Sequence, residues 1–354
     1  MKTKHQIFFK NAQEMDAIES NTVDLVITSP PYPMIELWDG LFISMNEGID
    51  QALKDGNSKA AFNLMHQNLQ RVWREIARVL KIGGTACINI GDATRKIKEQ
   101  FQLFPNHSKV ISFFQKNGFI SLPSILWRKP TNSPTKFLGS GMLPPNAYVT
   151  LEHEYILIFR KGNKTRTIPP KSKSRYQSAY FWEERNRWFS DIWEDIRGIS
   201  QDIHRDLQTN NLRDRTAAFP LALPYRLINM FSIQNDVILD PFWGTGTTTI
   251  AAMASGRNSI GYEINVDFKH IFDKEIQKVK EITRDINETR IKKHNTFIKR
   301  YKHKKNKEPK YLATNYNLPV ITKQEKNILL HSIKKIEKIE NGYYVYHMPF
   351  SYLG

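Results

Sequence analysis

Along most of the chain, short apolar runs alternate with longer runs whose apolar residues recur at helical spacing. That rhythm admits few folds. Val23–Thr28, Thr85–Ile90, residues 119–128, residues 153–160, Val237–Leu239 and Ser259–Ile264 read as strands. Residues 60–80 place Leu64, Leu69, Val72, Ile76 and Leu80 on one broad helical face, and Gly83-Gly84 stops that helix. Residues 108–117 and 219–232 read as further helices. Strands separated by helices build a doubly wound α/β sheet, because each crossover must return across a face of the sheet.

Two stretches depart from the rhythm. Residues 161–215 are rich in Lys, Arg, Trp and Tyr with little periodicity, and read as an inserted surface region. From about 266 the chain turns helical and basic, with nine Lys or Arg and one Glu in residues 291–310. The expected segments are therefore 1–160, 161–215, 216–265 and 266–354. The whole chain carries 52 Lys plus Arg against 35 Asp plus Glu, a formal +17. Such a surplus favours polyanions, of which nucleic acid is the commonest.

The strand Val23–Thr28 runs straight into Ser29-Pro30-Pro31-Tyr32. Two prolines end any ladder or helix, so the turn could be a plain strand terminator. It could equally be a stiff platform that presents a hydroxyl, a carbonyl and a ring to a planar substrate. Far downstream, Val237-Ile238-Leu239 delivers Asp240, and Pro241-Phe242-Trp243-Gly244-Thr245-Gly246 then opens a helix at Thr247 and Thr248. Glycines let a ligand approach the backbone there, and the helix start presents free N–H groups. No Gly-Lys-Ser/Thr follows, and the third glycine of the dinucleotide fingerprint is missing. Glu263, 23 residues after Asp240, ends the next strand, where a carboxylate can take both hydroxyls of a ribose. The combination suits a nucleoside without a pyrophosphate. S-adenosylmethionine fits, since its cationic groups would be attracted to Asp240.

With TSPPY first and DPFWGTGTT last, the chain resembles the amino-group DNA methyltransferases of bacterial restriction-modification systems, in the motif order of their β group. The resemblance runs from Val23 to about Glu263. It includes NAQEMDAIESNTVDLVITSPPY, REIARVLKIGGTACINIGD, HEYILIFRK and RTAAFPLALPYRLINMFS. It implies a Rossmann-like S-adenosylmethionine-dependent methyltransferase fold: a doubly wound mixed seven-stranded sheet, with an inserted target-recognition region and a basic helical C-terminal extension. Ser29, Pro30, Pro31 and Tyr32 would form the catalytic turn. Asp240, Pro241, Phe242, Gly244, Gly246, Thr247 and Thr248 would line the cofactor with Thr28 beside them, and Glu263 would hold the ribose. Thr216, Ala217, Phe219 and Pro220 would approach the cofactor from the other side.

The resemblance also implies a chemistry. An exocyclic amino group is a poor nucleophile inside a stacked duplex, so the base must be flipped out. Ser29 and the Pro30 carbonyl would accept hydrogen bonds from the amino group, Tyr32 would stack on the base, and transfer would be direct. Carbon-5 cytosine methylation needs a cysteine nucleophile. Cys87 is the only cysteine and sits inside the apolar run TACINI, where core packing suits it. Serine at the first position of the turn resembles the N4-cytosine enzymes, with N6-adenine as the alternative. A catalytically inactive DNA-binding protein is the reading of another class. Arg175, Arg185, Arg187 and Arg197 are candidates for contacting double-stranded DNA. Trp182, Trp188 and Trp193 read as local core. A cognate restriction endonuclease is the expected system partner, and the chain is expected to be a monomer or homodimer. No Cys/His cluster has metal spacing, and no apolar run reaches the roughly 18 residues needed to cross a bilayer. The reading is of a cytoplasmic protein without a membrane partner.

Overall fold

A computed structural model describes residues 1–129, 138–197 and 219–352. β1 (Lys2–Phe8) and β2 (Val23–Thr28) come first, followed by α1 (Asp39–Met45), α2 (Gly48–Asp55), α3 (Ser58–Val79) and β3 (Leu80–Ile90). The hairpin of β4 (Ala93–Ile97) and β5 (Gln100–Phe104) leads through α4 (Asn106–Lys116) to β6 (Phe119–Arg128). A second small hairpin, β7 (Leu138–Gly139) and β8 (Ala147–Tyr148), precedes β9 (His153–Lys161). Then come α5 (Lys173–Gln177), α6 (Trp182–Trp188) and β10 (Ile192–Trp193). The last third holds α7 (Ala222–Phe231), β11 (Val237–Asp240), α8 (Thr247–Ser255), β12 (Asn258–Tyr262) and α9 (Phe268–Lys305). It closes with β13 (Tyr311–Ala313), β14 (Leu318–Val320), β15 (His331–Ile339) and β16 (Gly342–Pro349).

The main sheet is ordered β10-β6-β9-β3-β2-β11-β12-β1-β16-β15. Its centre is parallel: β3, β2, β11, β12 and β1 all run the same way. β9 is antiparallel to both β3 and β6, which returns β6 to the central direction. The doubly wound α/β class holds, but the sheet has ten strands rather than seven. Two of the additions are the antiparallel pair β15–β16, which docks on β1. The C-terminal extension is thus helical only as far as Lys305 and mostly β-structure beyond it.

β1 escapes a sequence search for a physical reason. Its inward positions are Thr3, His5 and Ile7, so the alternation of a strand is present but two of its three inward residues are polar. They are buried because they satisfy one another. Thr3 Oγ1 lies 2.9 Å from His5 Nε2 and 2.8 Å from His347 Nε2, and His5 Nδ1 lies 2.9 Å from Ser259 Oγ. This polar seam joins β1 to β12 on one side and β16 on the other. The apolar core lies on both faces of the sheet. One layer packs α3 and α4 through Trp73, Phe114 and Val72; the other packs α7 and α8 through Leu227, Ile228 and Ala251. Cys87 is fully buried in the second layer, as its place in the apolar run implies. Among the described residues, no helix is long and apolar enough to cross a membrane.

The buried imidazoles make the fold acid-sensitive. Burial pushes His5 and His347 down to about 3, and His66 and His331 down to about 4. Each is neutral in the fold and free to protonate only when unfolded. Its stabilising contribution is complete above about pH 6.5 and is lost as pH falls toward 4. Asp240 and Glu263, which burial raises, and His294, which Glu183 holds protonated, pull the other way over part of that range, but they are three groups against four. The thermal midpoint is expected to drop between pH 7.5 and pH 5, and more steeply in the wild type than in His347→Gln. A midpoint that holds or rises on acidification would contradict this account.

Candidate active site

β2 and β11 are neighbours in the sheet, with Leu25 opposite Ile238 and Val26 opposite Leu239. Their carboxyl ends therefore place Thr28 and Asp240 side by side. Thr28 donates its hydroxyl to Asp240 Oδ1 (2.7 Å) and Thr248 donates to Oδ2 (2.6 Å). The Phe242 N–H completes the set at 3.1 Å. Asp240 is buried, and burial pushes its carboxyl up to about 6 against the pull of the two threonine hydroxyls. Just past the end of β12, Glu263 accepts the N–H groups of Gly244 (2.8 Å) and Asn265 (2.9 Å), and burial raises it too.

The two glycines of the loop have different reasons to be glycine. Both take positive φ, 54° at Gly244 and 81° at Gly246. A Cβ at Gly246 would come within 2.3 Å of the Phe272 ring, so that residue backs onto the core as the N-cap of α8. A Cβ at Gly244 would meet nothing closer than 3.9 Å, so its side stays open.

A cavity of about 580 Å³ opens over these strand ends. Of the residues singled out by sequence, Ser29, Pro30, Pro31, Phe219, Asp240, Pro241, Phe242, Gly244, Thr247, Thr248 and Glu263 line it. Thr28, Pro220, Gly246 and Tyr32 do not reach its wall. Thr28 acts on it through Asp240. Thr216 and Ala217 lie outside the described residues. The far wall is a surprise: Trp38, Leu41, Phe42 and Met45 form an apolar cover with Asn68 and Val72 of α3 beside it. The buried Nδ2 of Asn68 has no hydrogen-bond partner in the protein. Nothing in the helical spacing of α3 distinguishes Asn68 from an ordinary buried helix position.

Tyr32 turns away from the cavity and into a polar cluster. Its hydroxyl donates to Glu154 Oε2 (2.9 Å) and lies 3.1 Å from Ser29 Oγ. Asn89 Nδ2 donates to the Tyr32 hydroxyl (2.9 Å) and to Glu154 Oε2 (2.6 Å), and Lys129 donates to Glu154 Oε1. Burial, then the charge of Glu154, holds the Tyr32 phenol well above its ordinary range, so it stays protonated. Glu154 is the second residue of β9, HEYILIFRK, whose apolar run signals only a strand. Its acid partner role is invisible without the fold. Asp92 instead holds His107 at the start of α4, 2.7 Å from Nδ1 and 3.1 Å from the backbone N, which is a cap.

The four arginines scatter. Arg175 is exposed on α5, and the neighbouring Ser178 hydroxyl accepts the Gln234 N–H just before β11 begins. That is the amino end of the strands, opposite the cavity. Arg185 covers the Phe189 ring at 4.3 Å, and Arg187 lies 3.9 Å from Asp195. Arg197 is exposed beyond β10. Trp188 and Trp193 are buried as core, whereas Trp182 is 40% exposed and is not.

Residues 23–274 match the N6/N4 family described as DNA methylase. The chain is 50% identical over 344 residues to the type II methyltransferase M.MthZI of Methanothermobacter thermautotrophicus, covering 97% of this chain and 94% of that protein. It is 55% identical over 298 residues to the type II methyltransferase M.MjaI of Methanocaldococcus jannaschii, covering 80% and 95%. Among solved structures, a Thermus thermophilus protein described as a DNA modification methylase and complexed with S-adenosyl-L-methionine is 31% identical. Its TM-score is 0.57, over 78% of this chain and 94% of that one.

The polar cluster under Tyr32 yields a stability test. Glu154→Ala would leave the Tyr32 hydroxyl and Asn89 Nδ2 short of their common acceptor. The expected cost is about 1–3 kcal/mol, read from urea unfolding. Glu154→Gln, which keeps an acceptor oxygen, should recover part of it. Equal stability of all three chains would remove Glu154 from this role.

Proposed function

The chain belongs to the N6/N4 DNA methylase family, and from that premise we propose that it methylates the N4 amino group of cytosine within a specific double-stranded sequence, with S-adenosyl-L-methionine as donor. The observation that carries the choice of base is Ser29 at the head of the turn, at the cavity wall beside Asp240. An alternative target is the N6 amino group of adenine. The names of the relatives support a place in a restriction-modification system that protects host DNA.

The cavity fits the donor by size and charge, since small-molecule sites run to about 300–1,000 Å³. Asp240, ionised at neutral pH and without an ion pair among the described residues, would attract its cationic groups. Glu263 would hold the ribose, each carboxylate oxygen having a lone pair left beyond its backbone N–H. Phe219, Phe242, Gly244 and Thr247 would complete the wall. When bound, the donor supplies an electrophilic methyl group.

The rest is done by the turn. Ser29 Oγ and the Pro30 carbonyl would accept the two amino hydrogens of the flipped base and direct the nitrogen lone pair toward the cavity. Pro30 and Pro31 fix these acceptors in advance, so no reorganisation is needed during transfer. Tyr32 would stack on the base, with its ring plane set by the bond from its hydroxyl to Glu154. Proximity and alignment supply the remaining rate, and no covalent intermediate is required.

Exposing unmodified genomic DNA to the protein and the donor, then mapping modified bases by single-molecule sequencing, tests the reading. N4-methylcytosine at one recurrent sequence is expected; mostly N6-methyladenine would reverse the choice of base, and no modification would sink the enzymatic reading. Ser29→Ala is expected to lower kcat by about a hundredfold with donor affinity nearly unchanged, as for other preorganised contacts. Asp240 sets a pH dependence. Its ionised form is the one that attracts a cation, so donor affinity should be flat above about pH 7 and weaken as pH falls through about 6. Calorimetric titration across pH 5–8 reads this directly, and an affinity independent of pH would remove Asp240 from the donor site.

A further inference from the structure

The most exposed large apolar side chains among the described residues sit on one hairpin. Met142 is 86% exposed, Leu143 71% and Val149 86%. The hairpin is ordered despite that: Ser140 N–H donates to the Asn146 carbonyl (2.9 Å), Leu143 N–H to the Ser140 carbonyl (3.2 Å), and Leu138 pairs with Tyr148. Its base is pinned by the Tyr148 ring, which stacks on Phe101 of β5 at 4.6 Å and 20°. A soluble chain gains nothing by holding a Met-Leu-Pro-Pro tip rigidly in water.

The fold puts this tip on the catalytic side. β6 runs parallel to β3 and β2, so its carboxyl end, Arg128, lies at the same end of the sheet as Ser29. The hairpin is inserted between that end and the start of β9, where the Lys129 N–H donates to the Glu152 carbonyl at 2.9 Å. Two residues on, Glu154 grips the Tyr32 hydroxyl. Phe101, the hairpin's support, belongs to the β4–β5 ribbon that leaves the carboxyl end of β3. A duplex offering a base to Ser29 must lie across these same strand ends, and a formal +17 favours that polyanion over another protein surface.

We propose that the Met142–Pro145 tip is an apolar wedge that enters the DNA duplex beside the target base pair and fills the gap left when the base swings out to the catalytic turn. This rests on the methyltransferase reading above. Met, Leu and Pro are among the side chains that proteins insert between base steps, because they replace lost stacking without hydrogen bonds of their own. Opening a pair costs unstacking and unpairing, least where the pair is already broken. The wedge therefore matters in proportion to how well paired the target is.

The test follows from that proportionality. The double variant M142S/L143S is compared with the full wild-type chain on two synthetic duplexes carrying the sequence mapped on genomic DNA. One is fully paired; the other has an abasic residue opposite the target base. On the paired duplex the variant is expected to lose about tenfold in kcat/KM, and on the abasic duplex to stay within about twofold of wild type. Thermal midpoint and donor affinity should be unchanged, since both side chains face solvent. Equal activity on the paired duplex overturns the wedge, as does an equal loss on both. So does a loss that tracks dissociation of a wild-type dimer in light scattering, which would make the tip a contact between two copies. No transfer by the wild type to either duplex fails the methyltransferase reading itself and takes the wedge with it.

Discussion

The hydrogen bond from Thr28 to Asp240 joins residues 212 positions apart, and the site depends on it. Asp240 is a buried carboxylate with no ion pair among the described residues. Three donors, two of them threonine hydroxyls, offset the loss of water without cancelling its charge. The result is an acid poised at about 6 rather than one neutralised by a lysine. A salt bridge would have been easier to bury but would have left nothing to attract a cation. Because Thr28 is the last residue of β2, the same bond fixes where Ser29 begins. The acid of one strand and the turn of its neighbour are thus one unit, built from two ends of the chain.

That unit was readable in sequence because its parts are local. A short apolar run, two prolines and a tyrosine announce one strand end; an acid followed by glycines announces the other. The order of the motifs then fixes which strands must meet. What stayed hidden was non-local. β1 carries polar residues on its buried face because His347 and Ser259, 344 and 254 residues away, satisfy them. Glu154 reads as the start of an apolar strand until Tyr32 is seen beside it. The cover over the cavity comes from residues just past the turn, where Trp38 and Phe42 line the cavity as well as packing on the core. Periodicity records burial, and burial against a ligand looks the same as burial against protein.

The segment read as a single exposed insert is two things. Its first part underpins the C-terminal extension. Glu184 and Arg290 form a buried bidentate pair at 2.6 and 2.7 Å, and the Phe181 ring stacks on His294 at 4.0 Å. Arg290 also donates to the Tyr225 hydroxyl at 3.0 Å, so α6, α7 and α9 share one polar joint. A buried arginine held by three oxygens is costly to break, because either partner alone would be left charged in the interior. Among the described residues, it is at β10 that the segment returns to the carboxyl ends of the strands, where Trp193 pairs beside Trp127. A charge-rich stretch without periodicity can therefore be a fastening as readily as a reading surface.

The surplus of positive charge divides in the same way. Near the Ser29–Tyr32 turn, Arg128 faces Glu152 and Glu194, and Lys129 faces Glu154, so the local charge is largely balanced. α9 begins at the rim of the cavity and runs 38 residues, about 57 Å, toward the amino end of the sheet. Its exposed Lys299, Arg300, Lys304 and Lys305 come at the far end of that length. At physiological salt, charges act over about 8 Å, so those side chains cannot shape the field at Ser29. They can only add sequence-independent, salt-sensitive attraction for a long polyanion that reaches beyond the cavity mouth. At the strand ends themselves charge is already paired, so shape and hydrogen bonding are what those ends offer a partner.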